Sequence, residues 1–384
     1  MERRKVLAPP SGLRRYGAMA AILLAGVIVS SRASTEAQHR WDLPPRVAPP
    51  RVPAGAPMTP ARVELGRRLF YDQRLSGNGT QSCATCHEQE RAFTDGRAQG
   101  LGSTGMLHAR SPMSLVNVAY RDALTWANPT LTSLDEQALV PMLGTEPIEL
   151  GLKGREDAIY ATLARDPVYR PLFAAAFPGD ASPVTTPNIA SALAAFERSI
   201  VSFRSPFDRY REYEDRGALS DAAIRGSVLF FSNRKARCSN CHRGLNLDGG
   251  SKTAASPPDE EPVFQFHNTG LYNIRGLFLY PADNTGLYVH TGRAEDVGSF
   301  RVPTLRNIAV TAPYMHDGSI KTLDEVLDHY VSGGRAPNPN LSTAIAPLTL
   351  TAEERRDLLA FLESLTDREA LTDPRWSDPW TAAR

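Results

Sequence analysis

Cys83-Ala84-Thr85-Cys86-His87 is the stretch that decides the reading of this chain. Two thiols three residues apart, followed at once by histidine, form the C-x-x-C-H signature of a covalently attached c-type haem. On one helical turn the thiols reach the two vinyl groups of a porphyrin, and the histidine binds its iron from below. Cys238-Ser239-Asn240-Cys241-His242 repeats the pattern. All four cysteines of the chain fall in these two pairs. Disulfides, the default for an exported chain, would leave the two histidines without a purpose. A zinc ribbon needs four converging ligands and no histidine at those places. The expectation is a protein with two covalently bound c-type haems.

Outward toward the N-terminus, Arg3, Arg4, Lys5, Arg14 and Arg15 form a positive region, Gly17 to Val29 is a short apolar run, and Ser31-Arg32-Ala33 offers small residues for cleavage. This reads as a signal peptide over 1–33, too short and too lightly flanked for a membrane span. Export to the periplasm and the haem motifs support each other, because bacteria attach c-type haem outside the cytoplasmic membrane. The segment 1–33 holds six basic and one acidic residue, so the remainder carries 37 basic against 41 acidic residues, a net charge near minus four. Nothing basic is left to suggest nucleic acid.

Residues 34–58 hold Pro44, Pro45, Pro49, Pro50, Pro53 and Pro57 and read as an extended, semi-rigid spacer rather than part of a core. Beyond it an internal repeat sets the organisation. Thr59 to Tyr71 opens with an N-cap threonine and a proline at the first helical position, then shows apolar residues at helical spacing; Ser220 to Phe231 opens on a serine cap and does the same. In both, a glycine stands four residues before a phenylalanine, Gly66 before Phe70 and Gly226 before Phe230, and a C-x-x-C-H follows after a short loop. Glycine inside a helix costs about 1 kcal/mol against alanine, so its recurrence predicts close helix packing.

Ile189, Leu193, Phe196 and Ile200 recur at helical spacing and predict a helix from Pro187 to Phe203, with a junction over 205–219. Thr351, with Glu354 three residues on, caps a last helix whose buried face is Leu358, Leu359, Phe361, Leu362 and Leu365. The fold class expected is mainly α: two cytochrome c-like helical domains, 59–210 and 211–370, each around one covalently bound haem, followed by a tail over 371–384. Each haem supplies part of its core, so the apoprotein is expected to fold poorly.

Together with the two haem motifs, Phe93-Thr94-Asp95-Gly96, Phe266-His267-Asn268-Thr269-Gly270, Val302-Pro303-Thr304-Leu305-Arg306-Asn307 and Thr311-Ala312-Pro313-Tyr314-Met315-His316-Asp317-Gly318-Ser319 resemble the bacterial di-haem cytochrome c peroxidases and their MauG-like relatives over about residues 59–368. The resemblance implies a periplasmic enzyme whose N-terminal haem meets hydrogen peroxide and whose C-terminal haem passes or stores electrons. His87 and His242 would be the fixed axial ligands.

A peroxidase iron needs an open or openable face where a carboxylate can move a proton between the peroxide oxygens. The family's distal glutamine, proline and glutamate match Gln137, Pro141 and Glu149. Glu149, before Leu150-Gly151, is the acid–base candidate, Glu146 the runner-up, and Gln137 would orient the peroxide. An ordinary loop carboxylate and a helix-surface amide are the plain readings of the same residues. Trp126 stands where the family places a tryptophan between the haems, although the usual aromatic-Trp-Asp-Gly reads Thr125-Trp126-Ala127-Asn128 here. An indole there can relay electrons; most tryptophans simply fill a core.

For the second haem, Met315 is attractive as a thioether ligand that raises the potential. In the family, however, the ligand lies nineteen residues after the threonine of Thr311-Ala312-Pro313-Tyr314, which lands on Tyr330. Methionine at that place marks electron-transferring peroxidases, tyrosine the MauG-like proteins. A phenolate lowers the potential and favours high-valent iron. His329 is a further competitor. His108 is the one histidine that could sit over the first haem, and that haem is expected to be open without it. His267, His290 and His316 read as hydrogen-bonding loop residues, and His39 belongs to the spacer. The family's calcium ion would rest on the carbonyls of Thr311 and Pro313, with Ser111 where the family has asparagine.

The expected function is reduction of hydrogen peroxide with electrons from a small c-type cytochrome or cupredoxin. One alternative is a MauG-like enzyme that spends peroxide-derived oxidising equivalents on a partner protein. Another is a di-haem electron carrier without chemistry of its own, for which Glu149, Gln137 and Trp126 would have no use.

Overall fold

Thr59 and Ser220 each accept a hydrogen bond from a backbone amide of the first helical turn and so start two equivalent helices, α1 (Pro60–Phe70) and, later in the chain, α7 (Asp221–Phe231). The computed structural model describes residues 38–257 and 265–380. The expected signal peptide, 1–33, lies outside them.

After α1 the chain turns through the first haem motif and a long loop region to α2 (Leu134–Leu143), α3 (Glu156–Arg165), α4 (Tyr169–Ala176) and α5 (Thr186–Ser199). α6 (Pro206–Glu212) leads into α7; the second motif, a two-stranded ladder, α8 (Tyr288–Thr291), α9 (Leu323–Val331) and α10 (Ala352–Glu363) complete the order. In the ladder, β1 (Phe266–His267) pairs antiparallel with β2 (Phe300–Arg301). The molecule is thus mainly α-helical, as expected. Among the described residues no helix is long and apolar enough to cross a membrane.

Helix α1 packs on α5, and α7 packs on α10. A β-carbon added to Gly66 would lie 2.6 Å from the carbonyl carbon of Ala192 and 2.8 Å from Cβ of Phe196. One added to Gly226 would lie 2.5 Å from the carbonyl carbon of Asp357 and 2.9 Å from Cβ of Phe361. Both glycines therefore let two helix backbones touch, and both contacts use a carbonyl and a phenylalanine four residues apart on the partner helix. Two apolar clusters form around these pairs. One holds Leu65, Leu69, Phe70, Phe93, Phe173 and Phe196, the other Phe207, Phe230, Leu358, Phe361, Leu362 and Leu365.

Several boundaries differ from the sequence reading. Helix α5 ends at Ser199, short of Phe203, because Asn117 captures the chain. Its N–H donates to the Ile200 carbonyl at 2.9 Å and its side-chain oxygen accepts from Ser202 N–H at 2.8 Å. The junction contains α6, started by Ser205 and Asp208, each of which accepts from the other's backbone N–H. The described part of the proline-rich segment is extended but docked: Val47 is buried with Tyr120, Val201 and Phe203, and the Ala48 carbonyl accepts from the Tyr120 hydroxyl. The tail also packs back, with Trp376 buried in the first cluster and its carbonyl accepting from the Tyr71 hydroxyl at 2.7 Å.

Candidate active site

Each haem motif begins with one tight turn, Cys83–Thr85 and Cys238–Asn240, that brings its two thiols to one side. The following histidine is held by its far nitrogen. His87 Nδ1 lies 2.8 Å from the Phe93 carbonyl and His242 Nδ1 lies 3.0 Å from the Leu247 carbonyl. A carbonyl can only accept, so Nδ1 carries the hydrogen in both rings and Nε2 keeps its lone pair. Burial also pushes both imidazoles toward the neutral form, His242 down to about 4. No disulfide joins any of the four cysteines. Cys83, Cys86 and His87 line one cavity of about 410 Å³, and Cys238, Cys241 and His242 line a second of about 190 Å³. Paired thiols, a neutral imidazole with a free lone pair and an apolar cavity are the donor set and space that a c-type haem requires.

The first cavity gathers most of the expected distal residues. Gln137 and Pro141, one turn apart on α2, face it together with Glu146 and Glu149 from the loop that follows. Burial pushes the Glu149 carboxyl up to about 7. His108 lines the same cavity, with Nε2 3.9 Å from Glu149 Oε1. Sequence reasoning did not find Glu197 of α5, which is buried, faces this cavity and is pushed up to about 8 by burial, with Oε2 lacking a hydrogen-bond partner. Its only sequence signal is a charge inside the apolar face of a helix.

Trp126 lines both cavities. Its indole N–H donates to the Ser111 carbonyl at 2.9 Å, and its own carbonyl accepts from Arg301 N–H at 2.8 Å. The unusual Thr125-Trp126-Ala127-Asn128 loop closes on itself, with Asn128 N–H donating to the Thr125 hydroxyl at 2.9 Å.

Tyr330, on α9, lines the second cavity, and so does Met315, whose φ of 70° is left-handed. Burial and the nearby thiols of Cys241 and Cys238 push the Tyr330 phenol well above its usual range. His329 is buried but does not line the cavity. His267 lines it and bonds through Nδ1 to the Ser342 hydroxyl at 2.9 Å, as a loop histidine should. His316 departs from that expectation: its ring stacks on Phe300 at 3.5 Å and its buried Nε2 has no partner. His290 faces the first cavity. Thr311 and Pro313 bracket the turn that leads to Met315, and the Ser111 hydroxyl donates to the Met315 carbonyl at 3.4 Å. Among the described residues no group of three His, Cys, Asp or Glu could hold a metal ion.

A family model described as di-haem cytochrome c peroxidase matches residues 60–216. Cytochrome-c peroxidase IdrP1 of Denitromonas iodatirespirans is 36% identical over 92% of this chain and 95% of its own length. This chain belongs to the di-haem cytochrome c peroxidase and MauG family. Methylamine utilization protein MauG of Methylorubrum extorquens is 35% identical over 84% of this chain and 83% of its own. Among solved structures, a MauG-like protein associated with microbial copper homeostasis superposes with a TM-score of 0.84 at 47% identity, covering 89% of this chain and 99% of that one. Membership in the family makes the protein an oxidoreductase of the cytochrome-c peroxidase type, and the two cysteine pairs match the family's haem attachment.

Proposed function

We propose that this protein is an exported MauG-like enzyme. Hydrogen peroxide reacts at its N-terminal haem, and the oxidising equivalents are spent on a partner protein. Tyr330 carries this reading, because a phenol, rather than methionine alone, faces the cavity that holds Cys238, Cys241 and His242. The 47% identity to a MauG-like protein supports it. The polypeptide is then two cytochrome c-like halves, 59–210 and 211–370, built on the α1–α5 and α7–α10 pairs.

When bound, the haems supply the redox chemistry, accepting two oxidising equivalents from peroxide. The chain's residues supply the rest. His87 and His242 would each hold an iron through Nε2, since Nδ1 faces a backbone carbonyl in both. Gln137 orients the peroxide with its amide. Glu149, as a carboxylate, would take a proton from one peroxide oxygen and deliver it to the other, which would leave as water. Trp126, facing both cavities, relays electrons between them. Tyr330 would offer the second haem a hard anionic donor.

A peroxidase fed by a small c-type cytochrome or cupredoxin is the second reading, favoured by Met315 on the same cavity and by the likeness to cytochrome-c peroxidase IdrP1. The two are separated by adding one equivalent of hydrogen peroxide to the fully oxidised protein, without a donor, and following absorbance and EPR. Rapid bleaching at both haems, lost in Tyr330→Met, is expected. Inertness until one haem is reduced would establish the donor-fed peroxidase instead. Carbon monoxide failing to bind the reduced protein would leave only an electron carrier.

A further inference from the structure

His108 sits on a hairpin built to hold it against Glu149. Leu101 and Leu107 form an antiparallel bridge, His108 N–H donates to the Gly100 carbonyl at 2.8 Å, and Gly102 N–H donates to the Met106 carbonyl at 2.8 Å. The tip of this hairpin is fastened to the Glu149 segment itself. Ser103 N–H donates to the Glu149 carbonyl at 2.7 Å, the Ser103 hydroxyl donates to the Leu150 carbonyl at 3.2 Å, and Ile148 N–H donates to Met106 Sδ at 3.3 Å. Gly102 lies so close that a β-carbon there would run into the Ile148 carbonyl oxygen. The two side chains are therefore fixed relative to each other by the backbone.

The tautomer of His108 follows from one bond. Arg110 N–H, which can only donate, points at His108 Nδ1 from 3.1 Å. Nδ1 is then the acceptor, so the neutral ring carries its hydrogen on Nε2. That is the nitrogen 3.9 Å from Glu149 Oε1, with both side chains about one-third exposed and both lining the cavity of Cys83, Cys86 and His87. A ring that keeps its hydrogen on Nε2 has no lone pair there for iron. A movement of under an ångström brings Nε2–H into hydrogen-bond range of the carboxylate.

We propose that His108 is not an iron ligand but the positioning residue of Glu149, its Nε2–H donating to the carboxylate, fixing its orientation and favouring its ionised form above the first haem. The inference rests on the acid–base role proposed for Glu149. Peroxide arriving at the iron then meets an acceptor already aimed and already charged. The other groups facing this corner are Arg110 on the same hairpin, Glu146 beside Glu149, Glu197 of α5 and His290 of α8. Burial and then the charge of Arg110 push His108 toward the neutral form, while burial lowers Arg110 and the Asp283 carboxylate favours its charge.

Two substitutions in the haem-loaded protein separate this role from a structural one. His108→Asn keeps an acceptor for Arg110 N–H, and with it the hairpin, but is too short to reach Glu149. His108→Gln keeps an N–H at the reach of Nε2. The readout is the infrared carbonyl band of protonated Glu149, assigned by its loss in Glu149→Gln and followed across the neutral pH range. A hydrogen bond to a charged group is worth about 1.5–3 kcal/mol. In His108→Asn the band should persist to about one to two pH units higher, and below that limit peroxide should react about 10- to 100-fold more slowly; His108→Gln should stay near wild type. An unmoved band in His108→Asn overturns the proposal. So does loss of a bis-histidine low-spin EPR signal in that variant, which would make His108 an iron ligand. If Glu149→Gln leaves the peroxide rate unchanged while His108→Asn moves the band, the acid–base reading of Glu149 fails and the coupling of the two residues stands.

Discussion

Gly66 faces Ala192 so closely that a β-carbon on it would stand 2.6 Å from that residue's carbonyl carbon. The pair Gly226 and Asp357 repeats the arrangement at 2.5 Å. These two crossings are where the chain sets the distance between the paired helices α1 and α5, and α7 and α10.

Gly66→Ala and Gly226→Ala should each destabilise the haem-loaded protein. Alanine would gain about 1 kcal/mol of helix propensity, but overpacking between backbones costs about 1–3 kcal/mol and here meets a carbonyl that cannot rotate away. A lowered thermal midpoint, read from the Soret band, is expected for both. An unchanged midpoint would mean that the helix pair slides at no cost.

Asp208 holds together the region between the two apolar clusters. Its carboxylate pairs with Arg306 at 2.8 Å, both side chains almost fully buried, and accepts from Ser205 N–H at the start of α6. Asp208→Ala would leave a buried guanidinium without its counter-charge, a loss of about 3–5 kcal/mol. The denaturant midpoint should fall accordingly; a shift within error would show that Arg306 finds other acceptors besides the Leu245 carbonyl it already uses.

The base proposed at Glu149 works only when ionised, and burial raises this carboxyl to about 7. The protonated form therefore dominates below that value and the carboxylate above it. The rate constant for reaction with peroxide should rise with pH through about 7 and level off. Glu149→Gln should remove the pH dependence and slow the reaction by about 10²-fold or more. Stopped-flow absorbance at the Soret band measures both, and a pH profile that survives in Glu149→Gln would move the role to Glu146 or Glu197.

Trp126 is the one side chain proposed to connect the cavities electronically. Trp126→Phe keeps an aromatic ring but removes the readily oxidised indole and its bond to the Ser111 carbonyl. Electron exchange between the haems, followed after reduction of one of them by a flash, should slow by more than an order of magnitude. Equal rates in the two proteins would make Trp126 a packing residue.

Much of the site was legible before any fold was known, because attachment chemistry is local. Cys83, Cys86 and His87 must lie on one turn to serve one porphyrin, so their spacing alone announces them, and Cys238, Cys241 and His242 announce themselves again. The repeated glycines were legible for a similar reason: a residue that weakens a helix is kept where a second backbone needs the room. Glu197 and the pairing of His108 with Glu149 were not legible. The first is one charge in an apolar helix, and the second joins residues whose chain separation carries no pattern.

By itself, then, the sequence determined the two haem-attachment motifs, the two capped helices that precede them and the helical class, since each depends on contacts within a few residues. Tertiary structure decided which side chains share a cavity. It placed Trp126 on both cavities, set Tyr330 and Met315 on the same one, excluded His329 from its lining, and docked Val47 and Trp376 onto the body. Those outcomes depend on packing between segments far apart in the chain, where the energy comes from burying apolar surface that has no period to be read.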